Sequence, residues 1–313
     1  MNYLITGGAG FIGSNLARHI LETEDAKVVL VDNLTKGSKD YVPKGAEFKD
    51  RDITLLTDMV SLMYDVDVVI HLAAHTGVLP SIEDPMMDFW NNVLGTFNIF
   101  EAARLTEVRK VIYASTGGAI AGDQEPPLNE QTKPDPISPY GCSKLCTENY
   151  GRVYSKAFDL DTVALRFSNV YGPYSQHKKG NLIPTLILKA MRGEEATIFG
   201  DGDQTRDFIY VKDLINAIML AVRKEDIGGE VFQLATNIES SVMDIVEIIN
   251  GLSQRFVGKE LKVVHGDANK GEIRRNYCDI TKARKVLGFE PEYDLESGLR
   301  ETFEWFFMNC NEV

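Results

Sequence analysis

Tyr140 and Lys144 stand four residues apart, and in a helix that spacing puts both side chains on one face. An ammonium beside a phenol favours the phenolate, so the pair is expected to lower the tyrosine pKa toward use as a base. Such pairs are common on exposed helix faces, and position decides what this one means. It follows a β-branched run that closes on Ser115-Thr116. Hydroxyls at the carboxyl edge of a parallel sheet lie where ligands bind in open α/β folds.

A second group of residues supplies the partner for that chemistry. Thr6-Gly7-Gly8-Ala9-Gly10-Phe11-Ile12-Gly13 reads GxGxxG from Gly8 and GxxGxxG from Gly7, between an extended run and a helical pattern. Glycines there permit a tight turn and let backbone approach a pyrophosphate seated on the helix N-terminus. A glycine-rich turn can also be purely structural, and Asp32 separates the two readings. It closes the second extended run about 20 residues beyond the turn, where a carboxylate accepts a ribose 2′-hydroxyl and repels a 2′-phosphate. NAD is therefore favoured over NADP, with Lys36 a nearby cation that softens the preference. A hydroxyl, a tyrosine and a lysine beside a nicotinamide form a site for moving a hydride to or from an alcohol carbon.

The elements that must hold these groups alternate in type. Extended runs are expected at Tyr3–Thr6, Val28–Asp32, Val66–His71, Lys110–Ala114 and Thr162–Arg166. Ile12, Leu16 and Ile20 recur at i, i+4 and i+8 and mark one apolar helix face between the first two. Another helix is expected from about Asp88 to Arg104, with Phe89 and Trp90 as packing residues. Prolines punctuate a long loop before Ser138-Pro139, an N-cap followed by proline at the first helical position. Further helices are expected at Asn181–Arg192, Lys212–Arg223, Ser241–Leu252 and Leu295–Met308, with an extended run at Val231–Ala235. The pattern predicts an α/β, Rossmann-like doubly wound parallel sheet with a smaller C-terminal α+β substrate domain. The boundaries are 1–170 with 208–236 for the NAD-binding part, and 171–207 with 237–313 for the substrate part.

Composition narrows the partners. The 313 residues carry 33 Lys and Arg against 46 Asp and Glu, a net charge of −13, with 44% hydrophobic and 25% charged residues. That is ordinary globular composition in a chain long enough to bury a substantial core. Lys178-Lys179 and Arg274-Arg275 are too small a basic cluster for a duplex footprint, so no nucleic-acid partner is expected. The first extended run begins at once, leaving no signal peptide, and no apolar run approaches the ~18 residues of a spanning helix. Cys142, Cys146, Cys278 and Cys310 form no CxxC pair, and the five histidines are scattered. A reduced, cytoplasmic, metal-free protein is expected, with His71 a satisfied structural histidine and Cys142 and Cys146 inert.

Taken in order, TGGAGFIG, VDN, HLAA, STGGA, SPYGCSK, RFSNVYGP, NLIP and GDGDQTRDFIYV resemble the extended short-chain dehydrogenases over essentially the whole chain. The likeness is greatest to nucleotide-sugar epimerases of the UDP-glucose 4-epimerase type. The resemblance implies that Gly7, Gly10, Phe11, Ile12, Gly13, Asp32, Asn33, Leu34, Lys36, Gly37, Asp52, Ile53, Leu72, Ala73, Ala74, Asn91, Tyr140, Lys144 and Ser168 hold NAD. It places the nucleotide diphosphate and its sugar against Ser81, Thr116, Tyr140, Asn169, Asn181, Leu182, Thr197, Phe199, Arg206 and Asn276. Arg206 suits a diphosphate through charge-assisted hydrogen bonds. The resemblance also implies a homodimer through a helix bundle formed by the Asp88–Arg104 and Tyr140–Phe158 helices.

The chain departs from that pattern at three places. Gly117-Gly118 follows Ser115-Thr116 where many relatives carry a third hydroxyl, so Thr116 is the hydroxyl partner, with Ser115 in reserve. Ala121 stands where a tyrosine is usual, which would enlarge the sugar pocket. Asn269 replaces a common arginine, beside Lys270. Glycines at 117 and 118 also supply neither of the carboxylates with which sister dehydratases remove water. The expected activity is NAD-dependent 4-epimerisation of a UDP-sugar, UDP-Glc/UDP-Gal or UDP-GlcNAc/UDP-GalNAc, in which Asn276 would admit an N-acetyl group. Tyr140 takes the C4 hydroxyl proton, Lys144 holds the tyrosine pKa down and orients the ribose, and the keto sugar turns over before the hydride returns. Two alternatives stay open: a nucleotide-sugar dehydratase or reductase of the same family, and a non-catalytic NAD-binding regulator.

Overall fold

The computed structural model describes residues 1–175, 181–268 and 273–309. Asn269 and Lys270 lie outside them, as do Lys178-Lys179 and Cys310. Six strands come first: β1 (Asn2–Thr6), β2 (Lys27–Asp32), β3 (Glu47–Asp50), β4 (Val68–His71), β5 (Lys110–Thr116) and β6 (Asp161–Phe167). After β7 (Asn169–Tyr171), β8 (Glu195–Phe199), β9 (Thr205–Arg206) and β10 (Phe208–Tyr210), β11 (Val231–Leu234) returns to the same sheet. The seven parallel strands run in the order β11-β6-β5-β4-β1-β2-β3, so the order reverses between β1 and β4. That reversal opens a crevice at the carboxyl ends of the strands.

Helices cover both faces, which is why the inner strands are rich in apolar residues, unlike the edge strand β3. Alternation divides the side chains between the two sides. Tyr3 and Ile5 join the core shared with α1 (Phe11–Thr23), whereas Leu4 joins the core under α2 (Leu56–Met63). Of the stripe expected on α1, Leu16 and Ile20 are buried, and Ile12 is partly buried against the same core.

Short helices α3 (Val78–Glu83) and α4 (Pro85–Asp88) follow β4, and a π-helical turn at Phe89–Leu94 leads into α5 (Gly95–Leu105). The single helix expected from Asp88 to Arg104 is thus interrupted by one wide turn. Phe89 and Trp90 lie on that turn, each about half exposed and edge-to-face with the other, rather than packed inside. The one-turn α6 (Gly117–Ala121) follows β5 directly, and α7 (Pro139–Phe158) starts where expected. Ser138 caps it by accepting the Gly141 amide, and Pro139 occupies the first turn.

The C-terminal part adds α8 (Leu182–Arg192), α9 (Val211–Arg223), β12 (Ser240–Ser241), α10 (Val242–Phe256), β13 (Lys262–Gly266), β14 (Arg275–Asn276), α11 (Thr281–Leu287) and α12 (Leu295–Asn309). Of these α9 packs back on α1 and the main sheet. Small sheets β10-β7, β12-β9-β14 and β13-β8 hold the remaining strands. None of the helices among the described residues is long and apolar enough to cross a membrane.

Candidate active site

The glycine turn after β1 is shaped by close backbone approach. Gly7 has φ +67°, and a Cβ there would lie 2.8 Å from the Ala73 nitrogen. A Cβ on Gly13 would lie 2.3 Å from the Gly7 carbonyl oxygen. The Gly10 amide donates to Gly7 O at 3.0 Å and the Ser14 amide to Gly10 O at 3.0 Å. Gly10 has no side chain to cap α1, so the first amides of the helix remain to meet an anion. Across the crevice the Ala73 amide donates to Thr6 Oγ1, which also meets His71 Nδ1 at 2.6 Å; His71 Nε2 meets Thr96 Oγ1 at 3.0 Å. Burial, and then the charge of Lys144, pulls His71 down to about 3. It is a neutral, fully bonded structural histidine.

Asp32 ends β2 beside the turn. Its Oδ2 accepts the Ala9 amide at 3.1 Å and its Oδ1 the Leu34 amide at 2.8 Å, while burial holds its carboxyl above the usual range. Leu34 takes φ 60° to make that contact, and a Cβ on Gly37 would lie 2.9 Å from Asp32 Oδ2. Asn33 donates to Asp52 Oδ2 at 2.9 Å, and Ile53 next to it is buried. Lys36 Nζ reaches Thr76 O at 3.3 Å. At the end of β6 the Ser168 hydroxyl is buried without a hydrogen-bond partner among the described residues. A cradle closed to any Cβ, an uncapped helix start, a carboxylate and an orphaned hydroxyl fit a dinucleotide with a free 2′-hydroxyl. Asn91 Nδ2 donates to the Met87 carbonyl of its own helical turn at 2.9 Å, and its neighbour Asn92 is buried.

The first turns of α7 face that crevice. The Tyr140 amide donates to Ser81 Oγ at 3.2 Å, and Lys144 Nζ donates to Ala114 O at 3.0 Å, 5.9 Å from the centre of the Tyr140 ring. Burial pulls Lys144 down to about 8, against the opposing charges of Asp88 and Glu148. Tyr140 departs from expectation: burial, with Asp88 adding to it, pushes the phenol up to about 12. Removal from water outweighs the ammonium here, so the pair does not by itself make a base.

Ser115 and Thr116 part company because successive residues of a strand face opposite ways. Ser115 Oγ donates to Glu148 Oε1 at 2.6 Å, inside a buried pair in which Arg166 meets both Glu148 oxygens at 2.8 Å. Its hydroxyl is committed to that network. Thr116 is the N-cap of α6, yet its side chain makes no capping hydrogen bond and its residue is partly exposed.

The two glycines that follow make room for neighbours from other elements, which spacing could not reveal. A Cβ on Gly117 would lie 2.5 Å from Gln233 Oε1, and one on Gly118 would lie 2.1 Å from Asn276 Nδ2. Asn276 on β14 pairs in register with Arg206 on β9. Thr197 and Phe199 project from β8 as exposed side chains, and Asn181 and Leu182 begin α8. Asn169 is exposed on β7, its amide donating to Asp207 O at 3.0 Å. Ala121 is buried in the apolar core. Among the described residues no group of three or more His, Cys, Asp and Glu is placed to hold a metal.

A family model described as the NAD dependent epimerase/dehydratase family matches residues 3–235. The chain is 37% identical over 310 residues to a putative UDP-glucose 4-epimerase of Methanocaldococcus jannaschii, covering 98% of each chain. Its fold superposes with a TM-score of 0.92 and 35% identity on the UDP-glucose 4-epimerase of Thermotoga maritima, solved with UDP-glucose, over 99% of this chain and 100% of that one. The UDP-glucose 4-epimerase of Thermus thermophilus, solved with NAD, matches at a TM-score of 0.89 and 31% identity over 100% of both chains.

Proposed function

We propose that this chain, which belongs to the NAD dependent epimerase/dehydratase family, interconverts the C4 epimers of a UDP-sugar with NAD as its resident cofactor. The observation that carries the reading is the arrangement at the carboxyl end of β5. There a Thr116 hydroxyl that caps nothing, with Tyr140 and Lys144 on α7, stands at the same carboxyl edge of the sheet as the glycine cradle that follows β1. Gln233 and Asn276 fill the space beside residues 117 and 118 where an elimination would want carboxylates. NAD, when bound, supplies a hydride acceptor and donor that ends each cycle as it began.

The chain's own residues do the rest. Tyr140 takes and returns the proton of the C4 hydroxyl, and Thr116 hydrogen-bonds the same sugar oxygen. A phenol as high as Tyr140 gives up its proton only when positive charge gathers beside it. Lys144, charged at neutral pH, is the chain's contribution to that charge. The cradle of Gly7, Gly10 and Gly13 with Asp32, Asn33 and Ser168 holds the cofactor. Arg206, Asn276, Asn181, Thr197 and Phe199 receive the nucleotide and sugar. On this reading residues 1–170 with 208–236 form the cofactor domain and the remainder the substrate domain. Exposed Tyr150, Val153 and Phe158 on α7 with Leu105 on α5 support a homodimer through these helices, and the free cysteines accord with a cytoplasmic location.

The test is to incubate the purified protein with UDP-Glc, UDP-GlcNAc and UDP-GlcA separately, without added cofactor, and to follow the sugars by proton NMR. A C4 epimer from any of them supports the reading and names the substrate class. A 4-keto or unsaturated product overturns it in favour of dehydration. A Tyr140→Phe variant with unchanged biological effect would favour a regulator.

A further inference from the structure

We infer that Asp88, a residue to which the sequence assigned no role, is a positioning residue that sets the geometry and charge of Tyr140 and Lys144. The inference rests on the epimerase reading for its consequence, although its geometry stands apart from it. Asp88 ends α4 at 1% exposure. Its Oδ2 accepts the Ser143 hydroxyl at 2.5 Å, and its Oδ1 accepts Asn92 Nδ2 at 2.7 Å. Ser143 lies on α7 between Tyr140 and Lys144. Asn92 in turn clasps the loop after β4, accepting the His75 amide and donating to the His75 carbonyl, each at 2.9 Å. One carboxylate thus ties the helix that bears Tyr140 to the loop that carries Leu72, Ala73 and Ala74.

Both hydrogen bonds come from neutral donors, so the charge is not cancelled where it sits. A buried carboxylate so placed acts on the ionisable groups around it. On α7 these are Tyr140 and Lys144, with Glu148 one turn beyond and paired to Arg166. From the loop after β4 it is His75, whose Nδ1 is 4.0 Å from Asp88 Oδ1 and has no hydrogen-bond partner among the described residues. From β4 it is His71, held neutral by burial and by the charge of Lys144, while α3 brings Ser81 to the Tyr140 amide and the π-helical turn brings Asn92 to Asp88. Asp88 favours the charged lysine and disfavours the phenolate: it adds to the burial that raises Tyr140 and opposes the burial that lowers Lys144.

Asp88→Asn keeps the shape and both hydrogen-bond partners but removes the charge. The phenol loses a repulsion and the lysine an attraction, so both must titrate lower. Two readouts test this. In rapid pH-jump absorbance, the phenolate signal of the chain minus that of its Tyr140→Phe counterpart should have its midpoint about 1 pH unit lower in Asp88→Asn. The acid and alkaline limbs of the epimerisation profile should move the same way, while Asp88→Glu, which keeps the charge, lowers kcat without moving them. An unchanged phenolate midpoint in a folded Asp88→Asn chain overturns the proposal. If that variant does not fold, Asp88→Glu decides, and a limb displaced by about 1 pH unit in it is equally fatal. The absorbance titration uses no substrate, so a shifted midpoint in a chain without epimerase activity would sink the functional reading and leave the placement of Asp88 intact.

Discussion

Replacing Ser115 by alanine and Thr116 by valine should damage the protein in opposite ways. Ser115 donates at 2.6 Å to Glu148, whose carboxylate keeps both 2.8 Å contacts to Arg166 after the change. Only one hydrogen bond to a buried charge is lost, worth about 1.5–3 kcal/mol, with the lower half of that range expected because the ion pair survives. Thr116→Val preserves shape at a partly exposed strand end whose hydroxyl caps nothing, so stability should change by less than about 1 kcal/mol. Its rate should instead fall ~10²–10³-fold, the loss expected when one aligned donor is taken from a reacting oxygen. Urea unfolding with both variants bound to the same cofactor reports the first quantity, and initial epimerisation rates by NMR report the second. Wild-type stability with a hundred-fold slower Ser115→Ala would refute this division. So would a Thr116→Val enzyme of normal rate.

Other consequences are as direct. In Gly13→Ala the new methyl meets the Gly7 carbonyl at 2.3 Å, and NAD retained through gel filtration should fall from stoichiometric to near none. Asp32→Ala should release NAD as well and narrow its advantage over NADP, measured by competition for the refilled site. Gly118→Ala places a carbon 2.1 Å from Asn276 Nδ2; the amide must swing away, raising KM for the sugar nucleotide ~10-fold with cofactor content unchanged. His71 bears on acid stability. The unfolded chain takes up its proton near the ordinary histidine value of 6.5, whereas the folded chain does so only at about 3. This contribution is therefore whole above pH 6.5 and is lost as pH falls toward 3, by about 1.4 kcal/mol per unit. A His71→Asn variant should flatten unfolding free energy against pH by that slope.

Strongly periodic or specially capped segments are the readable ones. The apolar runs of β1, β2, β4, β5 and β6, the stripe on α1, and Ser138-Pro139 at the start of α7 follow local rules, so sequence and structure agree there within a residue or two. β3 escapes such a reading because EFKD lies on the sheet edge, half exposed and without an apolar face. α6 escapes it because one turn opening on two glycines carries no helical signal. At the site, the glycine cradle and Asp32 are legible since a single local motif builds them. What distinguishes Ser115 from Thr116, or explains Gly117 and Gly118, arrives from Glu148, Gln233 and Asn276, residues distant in the chain. The phenol differs from its expected state for a related reason: spacing reports which charge is near, but not how much water has been removed.

The π-helical turn at Phe89–Leu94 acts as a one-residue phase shift in an otherwise continuous helix. Each residue of an α-helix advances the azimuth by about 100°, and the wide turn holds one residue more than an α-turn in the same length. Upstream of it Asp88 faces α7; downstream Gly95 faces Ile53, so closely that a Cβ would stand 2.5 Å from Ile53 Cδ1. Asn92 lies within the turn and faces His75. A chain shortened by one residue here would become a straighter helix able to satisfy the upstream docking or the downstream one, but not both. The turn is thus a length standard, and loop-grafting between relatives that differ by one residue at this point would exchange angular phase rather than mere sequence.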